Sequence, residues 1–219
     1  MRDVGAFAEA LAKSSSMIVL SEIGDKTFFI AALMAMRHSR GIVFLGASVA
    51  LFLMTVISAV AGAAATGMVS ARATHRAATG LFFLFGARAI WDASKASDDD
   101  EGELAEVEAE LNKKRRKNGG RQRATLPAAT VFAEAFAVTF LAEWGDRSQI
   151  ATVGLAASED VVGVTLGGCI GHALCTGLAV LGGRSLADRA QDSERIVGAL
   201  GGVLFLLFGA HSLWTGPPE

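Results

Sequence analysis

Long stretches without a single ionisable side chain constrain this chain more than any other feature. Residues 41–71 contain no Asp, Glu, Lys, Arg or His; residues 161–183 contain only His172, and 196–218 only His211. A helix crosses a bilayer with about 20 predominantly apolar residues, so each stretch is long enough. A buried core helix is usually shorter, and 219 residues could not enclose so many of them. The expected spans are 15–36, 41–70, 76–94, 127–157, 161–183 and 195–214. All are expected as helices, because hydrocarbon offers the backbone no partner and its hydrogen bonds must close internally. A barrel would need period-two alternation, which these runs lack. The fold class is therefore an all-α integral membrane protein with six transmembrane helices.

Composition agrees. The chain is 52% hydrophobic with mean hydropathy +0.42, high for a soluble domain. Its charge is concentrated: residues 98–123 hold 8 of the 22 acids and 7 of the 20 bases. The net charge of −2 gives no footprint for a nucleic-acid partner. The basic run at 113–117 follows an acidic one and reads as part of a solvated loop. Within that loop Leu104, Val107 and Leu111 fall at helical spacing, which predicts a short cytosolic helix. Cys169 and Cys175 fit no zinc or disulfide pattern and read as packing residues. Asp3, Glu9 and Lys13 interrupt the first 16 residues, so no cleavable signal is expected.

The two halves repeat. At a spacing of 121, Glu22-Ile-Gly-Asp25-Lys-Thr27 falls on Glu143-Trp-Gly-Asp146-Arg-Ser148, Gly46 on Gly167, Thr55 on Thr176 and Gly62 on Gly183. After a two-residue shift, LFFLFGARAIW at 81–91 matches LFLLFGAHSLW at 204–214. Residues 1–97 form one three-helix unit, 98–126 a charged linker, and 127–219 the second unit. An odd number of spans per unit makes the second copy enter the membrane from the opposite side. That is the inverted-repeat plan of many secondary transporters, whose substrate sits near the midplane between repeats. The linker side carries 13 Lys and Arg, the other side 4, so the linker is expected in the cytosol. Trp91 and Trp214 close their spans as interface anchors, and Pro127 opens the fourth.

The doubled motif places acids in apolar surroundings. In a continuous helix Glu22 and Asp25 share a face, as do Glu143 and Asp146. Opposed repeats would gather four carboxylates. Each charge at the bilayer centre costs about 2.5–3.5 kcal/mol on insertion scales, a heavy burden without a use. Carboxylate oxygens suit hard cations such as Mg, Ca and Mn. Thr27, Ser148 and Gln149 could add neutral oxygens. Gly24 and Gly145 could loosen the helix and release backbone carbonyls. Lys26 and Arg147 reduce the local negative charge. Four carboxylates and two bases leave a formal −2, which one divalent cation or two protons would neutralise. The bland alternative is that Glu22–Lys26 and Asp146–Arg147 merely neutralise each other. His172, one turn from Thr176, is a candidate proton relay or a packing histidine. Glu134 is a secondary candidate facing away from Glu143, with Glu9 below it. Arg88 reads as a snorkelling residue and His211 as interfacial.

SEIGDKTFFIAALMAMR and TFLAEWGDRSQIATVGLAASED resemble the two signature segments of the Golgi-type divalent-cation/proton exchangers. GHALCTGLAVLGGR at 171–184 is similar to that family's fifth span. Lys13 and the SSSM run make the start of the first span more polar than is usual there. The resemblance implies exchange of Mn2+ and Ca2+ for H+, with Glu22, Asp25, Glu143 and Asp146 as metal ligands and proton carriers. It implies no enzymatic reaction and no resident cofactor; the partners are the bilayer and the transported cations. A Golgi membrane is expected in a eukaryotic host, a chloroplast or bacterial inner membrane otherwise. Three rival readings are a divalent-cation channel, a small-solute exporter and a non-transporting membrane assembly factor. Oligomeric state is not legible.

Overall fold

A computed structural model describes residues 4–68, 70–95, 103–117 and 126–216, and the described residues are helical with no strand. The helices are α1 (Val4–Glu22), α2 (Lys26–Arg37), α3 (Arg40–Met68), α4 (Ala71–Lys95), α5 (Glu103–Lys117), α6 (Ala128–Glu143), α7 (Arg147–Ala156) and α8 (Val161–Thr215). Arg2, Arg121 and Arg123 lie outside the described residues, so the part of the orientation count that used them is not addressed there, and the acidic run 98–101 lies outside them too.

The chain is a membrane protein of several crossings. Among the described residues three stretches are long and apolar enough to span: Arg40–Thr66, Val161–Ala190 and Arg195–Thr215. The α6–α7 pair, bent by 75°, makes a fourth if taken as one crossing. Many residues on these helices stay exposed and apolar, among them Leu45, Val60, Leu174, Leu181 and Leu207, as a lipid-facing surface requires.

Several sequence expectations need correction. The span expected at 15–36 is two helices, α1 and α2, and the span at 127–157 is likewise α6 and α7. The breaks fall at Gly24 (φ 84°) and Gly145 (φ 83°), a left-handed conformation open to glycine. Glu22 and Asp25 therefore do not share one helical face, and neither do Glu143 and Asp146: each pair straddles a break. The loop expected between spans five and six is helical. α8 is two helices that meet at a kink at Gly183 (φ 53°, ψ −139°), and the residues after the kink are helical. Pro127 sits one position before α6, at its N-cap, where its missing N–H costs nothing.

The linker departs furthest from its expected form. α5 is not a helix in a solvated loop; it is docked. Leu104, Val107 and Leu111 are buried in a cluster with α2 residues from Phe28 to Ala35 and with Val180, Ala187 and Ala190 of α8. Polar contacts flank that apolar face. Glu110 pairs with Lys26 at 3.3 Å, Glu108 with Arg184 at 2.7 Å, and Arg37 donates to Asn112 Oδ1 at 3.2 Å. As a result α2 is buried on every side from Thr27 to Ala35.

Helix packing ties the two halves together reciprocally. A Cβ on Gly46 would lie 2.7 Å from the Phe132 carbonyl oxygen and 2.9 Å from Ala135 Cβ. A Cβ on Gly167 would lie 2.4 Å from the Leu11 carbonyl oxygen and 3.0 Å from Ser14 Cβ. At the repeat spacing, Gly167 is the counterpart of Gly46, Leu11 of Phe132, and Ser14 of Ala135. Each half thus receives the other's backbone at the same place. Gly86 against Leu206 and Gly209 against Phe83 form a second such exchange at the spacing of 123. Self-complementary contact of this kind is what a two-fold relation between halves produces.

Candidate functional site

Both breaks open into one place. α1 and α6 end on Glu22 and Glu143; α2 and α7 begin just after Asp25 and Asp146. The last carbonyls of one helix and the first amides of the next are left over at such a break. The positive ends of the α2 and α7 dipoles lie beside the aspartates, and the negative ends of α1 and α6 carry the glutamates. Asp146 uses its position as a cap, accepting from the Ser148 N–H at 2.9 Å. Asp25 makes no such bond.

Among the described residues, Glu22, Glu143 and Asp146 each offer an oxygen within 4.8 Å of the other two. Asp25 is not part of this trio. It lies across from Arg147, whose Nη2 is 3.9 Å from Asp25 Oδ1. Glu22 of the first half thus meets Glu143, 121 residues on, and Asp146 of the second, whereas the sequence predicts all four acids together. Glu22 and Glu143 are each only 2% exposed. Their Oε2 atoms accept from equivalent hydroxyls of their own motifs: Thr27 donates to Glu22 at 3.1 Å and Ser148 to Glu143 at 3.5 Å. Both Oε1 atoms are buried with no hydrogen-bond partner. A buried, half-satisfied carboxylate is costly. Two of them facing a third acid make a site that needs either a cation or protons.

The remaining predicted residues sort around this core. Gly24 and Gly145 provide the turns. Thr27 and Ser148 support the glutamates as donors. Gln149 folds back, its Oε1 accepting from the Gly145 N–H at 3.1 Å, so it braces the second turn. Lys26 does not pair with Glu22, as the bland reading required; it reaches Glu110 of α5. Arg147 likewise turns to Asp25 of the other half and not to its neighbour Asp146. His172 is buried, with Nδ1 3.9 Å from Glu22 Oε2. Thr176 is buried one turn further. Glu134 is half-buried and outside the trio. Glu9 belongs elsewhere: Lys13 Nζ lies 2.6 Å from both Glu9 and Glu159, tying α1 to the α7–α8 turn, with His211 3.9 Å from Glu9. Arg88 is exposed and faces Asp92 at 3.5 Å. Cys169 and Cys175 are free thiols.

Sequence reasoning missed α5 as a neighbour of the site. The signal was present in Leu104, Val107 and Leu111, three apolar residues on one face of a helix that needed something to cover them.

The family described as divalent cation/proton antiporter GDT1 matches residues 10–97 and 131–219, which leaves out the whole of the linker. A protein named GDT1-like protein 5 from Arabidopsis thaliana is 46% identical over 227 residues, spanning 97% of this chain and 98% of that protein. GDT1-like protein 5 from Oryza sativa subsp. japonica is 46% identical over 221 residues, 94% of each. GDT1-like protein 3 from Arabidopsis thaliana is 44% identical over 212 residues, 95% of this chain and 72% of that protein. No solved structure matches the chain.

Proposed function

The chain belongs to the GDT1 family of divalent cation/proton antiporters, and on that premise we propose that it exchanges Mn2+ or Ca2+ for protons at Glu22, Asp25, Glu143 and Asp146. The observation that carries this reading is the meeting of Glu22, Glu143 and Asp146 oxygens within 4.8 Å, with a partnerless buried oxygen on each glutamate. Oxygen-rich sets of this kind suit hard dications.

The charge at the site follows from the contacts. Lys26 is engaged with Glu110 and drops out. Four carboxylates and the one guanidinium of Arg147 leave a formal −3. A dication and one retained proton bring that to neutrality, and so do three protons. Exchange of one ion for two protons then keeps the site uncharged in both loaded states, which minimises the cost of burying it.

In this reading the halves 1–97 and 127–219 are six spans in two inverted repeats joined by a cytosolic linker at 98–126. The reciprocal glycine contacts of Gly46 and Gly167 support it, as do the paired breaks at Gly24 and Gly145. Alternating access is a movement of one repeat against the other about a fixed central site. The transported ions are cargo, and no resident cofactor takes part. A Golgi membrane, or a chloroplast or bacterial inner membrane, is the setting this reading proposes.

The test is uptake of Mn2+ and Ca2+ into proteoliposomes under an imposed pH gradient. Wild type is expected to accumulate the ion uphill with two protons released per ion. Glu22→Gln and Glu143→Gln are expected to lose uptake at least tenfold, the order of effect of removing a metal-site partner. Downhill flux that no proton gradient can drive uphill would identify a channel and defeat the proposal.

A further inference from the structure

Resting on that exchange reading, we propose that Glu110 of α5 is a positioning residue for the transported ion: it draws Lys26 away from the acids and so leaves Asp146 to serve as a ligand. Lys26 and Arg147 stand at equivalent places, each directly after the aspartate of its motif and 121 residues apart. Arg147 crosses to the other half, with Nη2 3.9 Å from Asp25 Oδ1. The two-fold relation between the halves makes Lys26 to Asp146 the mirror of that contact. Lys26 instead places its Nζ 3.3 Å from Glu110 Oε2.

The acid cluster divides along the same line. Asp25, which faces a cation from the opposite half, is outside the trio. Asp146, whose mirror cation is held by Glu110, is inside it with Glu22 and Glu143. A pair that merely fastens α5 explains this poorly. Lys26 and Glu110 are 41% and 44% exposed, and pairs so exposed add little to stability. Leu104, Val107 and Leu111 supply the apolar face on which α5 docks. What the docked helix adds is a carboxylate fixed beside a flexible four-carbon stem.

Without that carboxylate, Asp146 is the acceptor that the symmetry offers to Lys26. An ammonium against Asp146 occupies an oxygen that the ion needs, and its charge repels a dication at short range. Ion and lysine then compete for one carboxylate. Glu110 decides that competition in favour of the ion, and it does so from a helix that belongs to neither repeat.

The full chain in lipid nanodiscs, titrated with Mn2+ and followed by the EPR signal of the free ion, tests this as a double-mutant cycle. Glu110→Gln is expected to weaken Mn2+ binding about tenfold, the order of effect of removing a residue that orients a metal ligand. In a Lys26→Gln background the same change is expected to shift affinity less than about twofold. Glu108→Gln breaks the pair with Arg184 on the same helix and is expected to leave Mn2+ affinity within about twofold of wild type. Protease resistance of residues 103–117 is expected to be that of wild type in Glu110→Gln; cleavage there would assign the loss to undocking of α5 and overturn the proposal. Equal weakening by Glu110→Gln with and without Lys26 overturns it as well, and so does equal weakening by Glu108→Gln. If wild type moves Mn2+ uphill on a proton gradient in proteoliposomes and Glu110→Gln binds Mn2+ as tightly as wild type, this inference alone falls. If wild type binds Mn2+ but no proton gradient drives its uptake, the exchange reading falls, and the cycle still decides whether Lys26 competes with the ion.

Discussion

Replacing Gly145 by alanine separates a broken helix from a continuous one by the sign of its effect. Gly145 holds φ at +83°, and a Cβ built on it meets nothing within 4 Å. Packing therefore contributes nothing to the cost of Gly145→Ala. What remains is backbone strain, about 1–2 kcal/mol for an L residue in the left-handed region. In a domain of this size that lowers Tm by about 2–8 °C. Gly24 is the control: its φ is +84° and its Cβ would make only an ordinary 3.6 Å contact with the Ala190 carbonyl oxygen, so Gly24→Ala should cost the same. Asparagine tolerates this region better, so Gly145→Asn should lose less than the alanine variant. The measurement is thermal unfolding in detergent followed by tryptophan fluorescence, for which Trp144 is adjacent. In an unbroken helix, exchanging an interior glycine for alanine raises stability by about 0.5–1 kcal/mol. A Gly145→Ala variant that melts at or above wild type would refute the break, and with it the geometry that separates Glu143 from Asp146.

Other outcomes follow from the same coordinates. Gly46→Ala and Gly167→Ala would drive a methyl to 2.7 Å and 2.4 Å from backbone oxygens of the opposite half; both should reduce the yield of folded protein sharply in a size-exclusion assay, while Gly41→Ala, with nothing within 4 Å, should not. Val107→Asp should undock α5, at a cost of about 1.5–3 kcal/mol in lost burial plus that of the new charge, and be seen as protease cleavage between residues 103 and 117 that wild type resists. Metal affinity should rise with pH, because the carboxylates must shed protons before they bind; titration in nanodiscs should show a slope approaching two protons per ion, and a flat profile would contradict exchange at these acids.

The sequence made the paired acids legible because charge in an apolar run stands out and because it occurs twice. The meeting of acids from both halves was legible in part: four were expected together, and Glu22, Glu143 and Asp146 meet without Asp25. Less accessible was the local backbone. Glu22 and Asp25 at a spacing of three read as one helical face, and only a positive φ at the intervening glycine separates them. Glycine permits that conformation without requiring it, so the residue alone does not decide. The continuity of α8 past Arg184 was hidden for a related reason. Polar residues from 184 to 195 signal exposure, and an exposed helix and a loop share that composition. The linker was misread because its charge outweighed three apolar residues in a local average, although those three share one face and sit where α2 needs cover.

That cover makes the two halves unequal. By sequence, α2 and α7 are equivalent re-entries into the site, and their first basic residues, Lys26 and Arg147, should do the same work. Arg147 reaches across to Asp25 at 3.9 Å. Lys26 points away, to Glu110 of a helix that belongs to neither repeat. α2 is enclosed from Thr27 to Ala35, whereas on α7 Arg147 and Ile150 remain exposed. The aspartates divide in part: Asp146 caps its own helix, while Asp25, near the Lys26 and Thr27 N–H groups of its own helix, also faces the opposite arginine. A two-fold arrangement with identical partners at both breaks would give the site no preferred side. Here α5 takes hold of one basic residue and leaves the other to the acids, so the structure is of one sidedness. The element that breaks the symmetry is the linker, which has no counterpart in either repeat and lies wholly outside the family match.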